Sequence, residues 1–294
     1  MPGEPSMIKS QAIRVAAPAK INRFLHVHQQ RSDGFHELKT YFQLIDLCDY
    51  LTFSVNRSGV VRVDNPTIDI DEKKDLCYRA AILLQQYTTQ PLGVDIVVEK
   101  HIPDGGGLGG GSSDAAAVLV VLNRLWQLNL SEETLLSIGL SLGSDVPVFI
   151  YGKSVCAEGR GGIFVPDINA HVTGKEKFLI IKPNVQVATR KIFQSQRLTK
   201  RSGTGKIRDL DTASLIQSGE NDFESVVFAL YPSIFQVVER LSGYVKLHLT
   251  GTGACLYTVL DDVRKADRIT CTLGSDCQAF VVNAIETSPL NDFK

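Results

Sequence analysis

Pro103-Asp-Gly-Gly-Gly-Leu-Gly-Gly-Gly-Ser-Ser-Asp-Ala-Ala-Ala117 packs six of the chain's 24 glycines between Gly105 and Gly111 and then runs straight into apolar residues. Glycines without side chains let successive backbone N–H groups converge on one anion. A helix that starts immediately behind them turns its positive end toward the same point. A flexible surface loop has no reason to lead into a run that stays apolar from Ala115 to Leu122. The stretch therefore reads as a phosphate-holding loop at the head of a buried, Ser-capped helix over 113–128. Spacing excludes two other phosphate loops. Gly105, Gly107 and Gly110 satisfy G-x-G-x-x-G, but residues 99–103 separate them from the preceding strand, whereas a dinucleotide-binding turn begins at the strand end. Gly152-Lys153-Ser154 resembles the end of a Walker A loop, yet Pro147 stands where its first glycine belongs.

Upstream of the loop, residues 13–28 and 50–63 alternate at period two, the latter interrupted at 56–59, and read as strands. Residues 76–87 are apolar at helical spacing and 94–98 form a short strand. Downstream, Ser131 opens a helix that ends at Leu142, with Glu132 and Glu133 in its first turn and Gly143 behind it. The second half reads as strands at 178–181, 245–249, 255–260 and 279–285, with helices over 225–241 and 262–273. Strands and helices mix without strict alternation, which predicts an α+β fold. A chain of 294 residues accommodates about two domains. The loop-rich join at 159–174 puts their boundary near Pro166, giving a flexible tail 1–11, a first domain 12–166 and a second 167–294, with the site in the cleft between them.

Lysine and arginine total 31 against 32 acidic residues, so a net charge of -1 supplies no global field for polyanions. That argues against nucleic acid or an anionic membrane as partner. The apolar run 115–122 is far shorter than the roughly 20 residues that span a bilayer. Residues 1–11 lack a secretory or transit pattern, so the expectation is a cytoplasmic protein. Six cysteines and six histidines are scattered without metal-ligand spacing. Reduced thiols and no protein-held metal are expected. Between Thr189 and Arg208 seven basic residues occur with no acidic one. They form either a solvated loop or an electrostatic lip that draws a phosphorylated substrate toward the cleft.

Residues 103–116 resemble the phosphate loop of the GHMP small-molecule kinases, the family of galactokinase, homoserine kinase, mevalonate kinase and phosphomevalonate kinase. Three further segments, Ala17-Pro-Ala-Lys-Ile-Asn22, Asp33-Gly-Phe-His-Glu-Leu38 and Leu249-Thr-Gly-Thr-Gly-Ala-Cys255, are similar to those of family members that act on a cytidine-diphosphate-linked polyol. The resemblance implies a first domain like ribosomal protein S5 domain 2 and a ferredoxin-like second domain. It also implies transfer of the γ-phosphate of ATP, with Mg²⁺ arriving on the nucleotide, to the 2-hydroxyl of a cytidylated methylerythritol in the non-mevalonate route to isoprenoids. Another small-molecule alcohol is the alternative acceptor. The implied partners are small molecules, with no nucleic acid and no membrane, for a monomer or weak homodimer of bacterial source.

By the same resemblance, ATP contacts fall on Lys100, Pro103, Gly105, Gly106, Gly107, Leu108, Gly109, Gly110, Gly111, Ser112 and Ser113; the two serine hydroxyls either donate to phosphate or cap the helix. Asp145 matches the catalytic base and Lys20 the cation beside it, which would stabilise a developing alkoxide or the transferring phosphoryl group. Read from the residues alone, Asp145 is a helix N-cap and Lys20 a surface lysine. An aliphatic hydroxyl is far less acidic than a carboxylic acid, so Asp145 can accept its proton only late in the reaction. Asn22 shares a strand face with Lys20 and matches a polyol contact. Phe35 and His36 match the cytidine site, with Phe193 as second stacking wall and Thr189 as a polar neighbour. Phe35 replaces the commoner Tyr, and Asp75 an Asn, which puts an adenine contact there in doubt. Phe42 either lines this pocket or belongs to the core. Asp114 either holds Mg²⁺ or, as preferred, complements the helix N-terminus. Residues 250–254 either close over the substrate or form a plain hairpin turn.

Overall fold

The structure is a computed structural model, and it describes residues 12–66, 71–165, 175–198 and 212–294. The expected tail 1–11, the boundary at Pro166 and the basic residues from Lys200 to Arg208 lie outside the described residues.

The chain opens with two long antiparallel strands, β1 (Ile13–Gln30) and β2 (His36–Asn56). Their register shifts between Pro18 and Ala19, where proline cannot donate to the ladder, and again between Asn22 and Phe24. Next come β3 (Val61–Asp64), α1 (Leu76–Gln85) and β4 (Gly93–Glu99), with β4 antiparallel to β2 and parallel to β3. The glycine loop leads into α2 (Gly110–Leu125), followed by α3 (Glu132–Leu142), α4 (Val146–Tyr151) and the hairpin of β5 (Val155–Gly159) and β6 (Ile163–Val165). Ser131 caps α3 by accepting from the Thr134 N–H, and Gly143 follows it. Every residue of α2 from Ser113 to Leu122 is buried, so the helix is the pillar of the first core. Each fully buried Leu or Val on it contributes roughly 1.5–3 kcal/mol.

The second half contains β7 (Lys177–Pro183), α5 (Thr189–Phe193), α6 (Thr212–Ser218), α7 (Glu224–Leu230), α8 (Pro232–Leu241), β8 (His248–Leu249), β9 (Leu256–Leu260), α9 (Arg264–Thr272) and β10 (Cys277–Ile285). The helix predicted over 225–241 is two helices. Pro232 lacks an N–H and pushes Tyr231 out of the helical region, to φ -130° and ψ 74°. The strands lie in the order β10-β7-β9-β8, with every neighbour antiparallel. That is the fourth, first, third and second strand of a ferredoxin-like split βαβ.

One strand ties the halves together. β10 pairs with β7 over Cys277 to Asn283, and its last two residues, Ala284 and Ile285, then pair with Ile45 and Leu44 of β2. The short 3-10 helix Pro289–Phe293 that follows buries Leu290 in the first core. Between the halves, Ala19, Ile21 and Ile45 meet Phe178, Ile180, Tyr257 and Val282 in a separate apolar cluster. The buried Arg23 guanidinium of β1 reaches Glu176 at 2.7 Å, and the Tyr257 hydroxyl donates to the Arg23 carbonyl at 2.9 Å. These contacts fix the two units around a cleft of about 1050 Å³. Among the described residues no helix is long and apolar enough to cross a membrane.

Candidate active site

The glycine loop forms one end of the cleft. Gly105, Gly107 and Gly109 take φ of 63°, 75° and 78°, alternating with residues of negative φ, a pattern that turns backbone N–H groups inward as an anion-binding nest. Helix α2 begins at Gly110, three residues earlier than the sequence predicts, and its N-cap is Gly109 rather than a serine. No side chain satisfies its first N–H groups, and Gly110, Gly111 and Ser112 all line the cleft. At Gly107 a Cβ would stand 2.5 Å from the Thr250 carbonyl oxygen, and at Gly109 one would stand 2.9 Å from Phe149 and 3.2 Å from the Lys20 stem. The close approach at Gly107 arises because the 250–254 turn of the second half braces the loop. Ala254 N–H donates to the Gly105 carbonyl at 3.2 Å and Cys255 N–H to that of Gly106 at 3.1 Å.

Lys20 lies at the centre of the site. Pointing inward from β1, its side chain is only 2% exposed, and Nζ contacts the Asn22 Oδ1 at 2.7 Å, the Gly107 carbonyl at 2.9 Å and the Asp145 Oδ2 at 3.1 Å. Two ammonium protons are thus committed to hydrogen bonds and the charge is paired with Asp145, which holds the cation in place. Asn22 is held in turn, since its side-chain amide donates to Thr40 Oγ1 at 2.8 Å and its backbone N–H to Thr250 Oγ1 at 2.9 Å. Asp145 occupies the N-cap position of α4 but makes no side-chain cap bond. Its carboxylate turns toward Lys20 while remaining 36% exposed to the cleft. The capping and surface-lysine readings of this pair both fail on that geometry.

Two other sequence readings, of Ser113 and Asp114, are corrected. Ser113 is fully buried, lies outside the cleft lining and donates its hydroxyl to the Pro18 carbonyl at 2.7 Å, so it holds α2 to β1. Asp114 lies beyond the first turn of α2, because the helix starts earlier, and its carboxylate accepts from Lys100 at 2.7 Å instead of serving the helix end. Lys100 borders the cleft, but its Nζ is held between Asp114 and the fully buried Asp49. Asp49 also accepts from the His101 and Ile102 N–H groups at 2.6 and 2.8 Å, anchoring the segment that enters the glycine loop. Burial, with Asp49 adjacent, raises the Asp114 carboxyl well above its ordinary value despite the opposing lysine. Burial lowers Lys100, but the two carboxylates outweigh it and leave the ammonium raised. Asp75 serves as N-cap of α1, accepting from the Cys77 and Tyr78 N–H groups.

At the other end of the cleft, the His36 and Phe193 rings lie 5.7 Å apart at 32°, and Thr189 Oγ1 is 3.0 Å from Thr252 Oγ1. Phe35 and Phe42 line the same cavity. Arg190 borders it as well, so the basic segment contributes at least one side chain to the rim. Among the described residues no group of three or more His, Cys, Asp or Glu gathers to hold a metal ion.

Residues 75–153 match the family GHMP kinases N terminal domain. A protein of Psychromonas ingrahamii named 4-diphosphocytidyl-2-C-methyl-D-erythritol kinase is 40% identical over 286 residues, which cover 97% of this chain and 98% of that protein. The chain belongs to the GHMP kinases, among the 4-diphosphocytidyl-2-C-methyl-D-erythritol kinases. A relative of the same name from Shewanella denitrificans is 42% identical over 275 residues, covering 93% of this chain and 94% of that one. A crystal structure of 4-(cytidine 5'-diphospho)-2C-methyl-D-erythritol kinase superposes with a TM-score of 0.75 at 29% identity, over 92% of this chain and 99% of that chain. Homoserine kinase from Cytophaga hutchinsonii superposes with a TM-score of 0.70 at 19% identity over 98% of both chains, a likeness of fold alone.

Sequence reasoning missed Asp49, Thr40, Thr252 and Arg160. Thr252 sits inside the quoted 250–254 turn, next to the threonine that bonds Asn22. Asp49 carried a signal in its place, an acidic residue wedged between Cys48 and the apolar Tyr50-Leu51. Thr40 and Arg160 left no local mark.

Proposed function

We propose that this chain transfers the γ-phosphoryl group of ATP to the 2-hydroxyl of 4-diphosphocytidyl-2-C-methyl-D-erythritol, releasing ADP and the 2-phosphate, in the cytoplasm of a bacterium. The observation that carries the proposal is the Lys20–Asp145 pair, 3.1 Å apart in a cleft bounded by the glycine loop on one side and by Phe35, His36 and Phe193 on the other. Phosphoryl transfer asks for positioning and for charge at the γ-phosphate more than for covalent chemistry. The loop N–H groups from Gly105 to Ser112 suit the phosphate chain. ATP supplies the electrophile, and Mg²⁺ arriving on its phosphates would supply neutralising charge.

Asp145 accepts the hydroxyl proton while the substrate oxygen bonds to the γ-phosphorus and the bond to the β-phosphate bridge breaks; the proton then passes to solvent. Lys20, whose partners hold it in place, stabilises the charge that develops on the oxygen. Asn22 orients the polyol next to it. Phe35 and Phe193 offer ring faces to the base, while His36 reads its edge. Stacking tolerates any base, whereas edge hydrogen bonds select one.

The test is ADP release by the purified protein with Mg-ATP and either the cytidylated polyol or the same polyol without its cytidine diphosphate. Turnover is expected only with the cytidylated compound. Equal turnover with both would remove the cytidine site, and turnover with neither would point to another alcohol.

A further inference from the structure

The loop of the β5–β6 hairpin carries a cation, Arg160, that lies within electrostatic reach of Asp33 but forms no ion pair with it. Strand β5 pairs with β2 so that Gly159 stands opposite Leu38, which brings Arg160 beside the segment holding Phe35 and His36. Gly159 and Gly161 flank it with φ of 72° and 94°, a left-handed backbone on either side of the arginine that glycine allows. Its guanidinium carbon lies 3.5 Å from the centre of the Phe35 ring, a face-on contact. Arg160 also lines the cleft. Asp33 and Glu37, the acids nearest in sequence to Phe35, form their ion pairs with Arg31, at 3.1 and 2.9 Å, so Asp33 feels the Arg160 charge without bonding to it. The Arg160 Nε is buried with no hydrogen-bond partner. On the far side of the same turn, Gly161 approaches the carbonyl of Ser144, the residue before Asp145.

We infer that Arg160 is a specificity-determining residue that binds the anionic diphosphate of the nucleotide-linked substrate, while its flat face holds the Phe35 ring. The inference rests on the proposed cytidylated substrate. A planar guanidinium can do both at once, since stacking uses its face and hydrogen bonding its edge. The Phe35 face turned to Arg160 is occupied, so a base stacks on the opposite face, and the arginine edge is left to meet phosphate oxygens. The arrangement suits this chain's Phe35. Without a hydroxyl, the ring can offer only its face, and the polar contact at this corner comes from the neighbouring hairpin.

The experiment is calorimetric titration of CDP and of cytidine into wild-type protein and into Arg160→Ala, Arg160→Lys and Arg160→Gln variants, with KM measured for both substrates. Arg160→Ala should weaken CDP by about 10- to 100-fold and cytidine by no more than about threefold. KM for the cytidylated polyol should rise in parallel, with KM for ATP within about twofold of wild type. Arg160→Lys, which keeps the charge, should recover part of the CDP affinity, and Arg160→Gln, which keeps most of the bulk, should not. If Arg160→Ala fails to fold, the Lys and Gln comparison decides alone. Unchanged CDP affinity, or an equal loss for CDP and cytidine, would overturn the inference while leaving the kinase reading intact. Wild-type protein that neither binds CDP nor turns over the cytidylated polyol would instead sink the substrate assignment, and this inference with it.

Discussion

Replacing Asp145 by Asn and Lys20 by Met, singly and together, separates a catalytic pair from a structural one. Asp145→Asn keeps the shape of the side chain but cannot take a proton, so kcat should fall about 10²- to 10⁴-fold, equivalent to roughly 2.7–5.5 kcal/mol of transition-state stabilisation. Stability should fall only modestly, because the carboxylate is 36% exposed and caps no helix, although its loss leaves the buried ammonium without a counter-charge. Lys20→Met is a different perturbation. It strips the Gly107 carbonyl and the Asn22 Oδ1 of their donor, at about 1–3 kcal/mol for each acceptor left buried. It also relieves the chain of a desolvated ammonium. The melting temperature should therefore drop further for Lys20→Met than for Asp145→Asn, although kcat falls in both. Since the two groups act on one proton and one developing charge, the double variant should lie within about tenfold of the worse single one. The assay is ADP release at saturating substrates, with calorimetric melting on the same preparations. Losses that multiply in the double variant would refute the idea of a unit, and Asp145→Asn within tenfold of wild type would remove the carboxylate from the proton path.

Gly107→Ala should raise KM for ATP with a smaller effect on melting, since it forces φ near 75° on an alanine and drives a methyl to within 2.5 Å of the Thr250 carbonyl; the backbone conformation alone costs about 1–2 kcal/mol. An unchanged KM would mean that the two loops do not brace each other. Lys100→Met leaves Asp49 and Asp114 buried face to face and should cost about 3–5 kcal/mol in urea unfolding, with partial recovery in Lys100→Met/Asp114→Asn. No recovery would show that the triad is not the source of the loss. Burial, helped by Lys246, lowers His248 to about 4 from an ordinary value of 6.5. Between those values the unfolded chain binds a proton that the folded one does not. This group's contribution is therefore present above about pH 6.5 and lost as the pH falls toward 4, and melting curves of wild type and His248→Asn should differ in slope over that window. Parallel slopes would clear His248 of the effect.

The glycine loop and the buried helix behind it were legible because glycine spacing and an apolar run leave few alternatives, and the strands and helices next to them followed from period and caps. The inner half of β2 was not. From Thr40 to Ile45 every residue is buried, so no period-two alternation exists to mark a strand covered on both faces. The start of α2 was placed late for a related reason, since glycines that carry no helix propensity form its first turn. Lys20 and Asp145, read alone, look like a surface lysine and a cap. Their meeting depends on a β1 register and an α3–α4 turn that only the assembled fold supplies. Arg160 was invisible because its role comes from a hairpin folding back on a distant phenylalanine, a contact no local pattern encodes.

β10 also bears on how such kinases can be recombined. A chimera made by exchanging everything after β6 would import the residues that complete its host's first sheet and fill its first core, because Ala284, Ile285 and Leu290 belong there in space. The exchangeable module is consequently interrupted at both ends. It starts after β6 and stops within β10, with residues 284–293 retained from the parent that supplies Lys20 and the glycine loop. Swaps cut at that point keep the cleft's geometry, whereas swaps cut by sequence order alone graft a foreign strand into the sheet that aims Lys20.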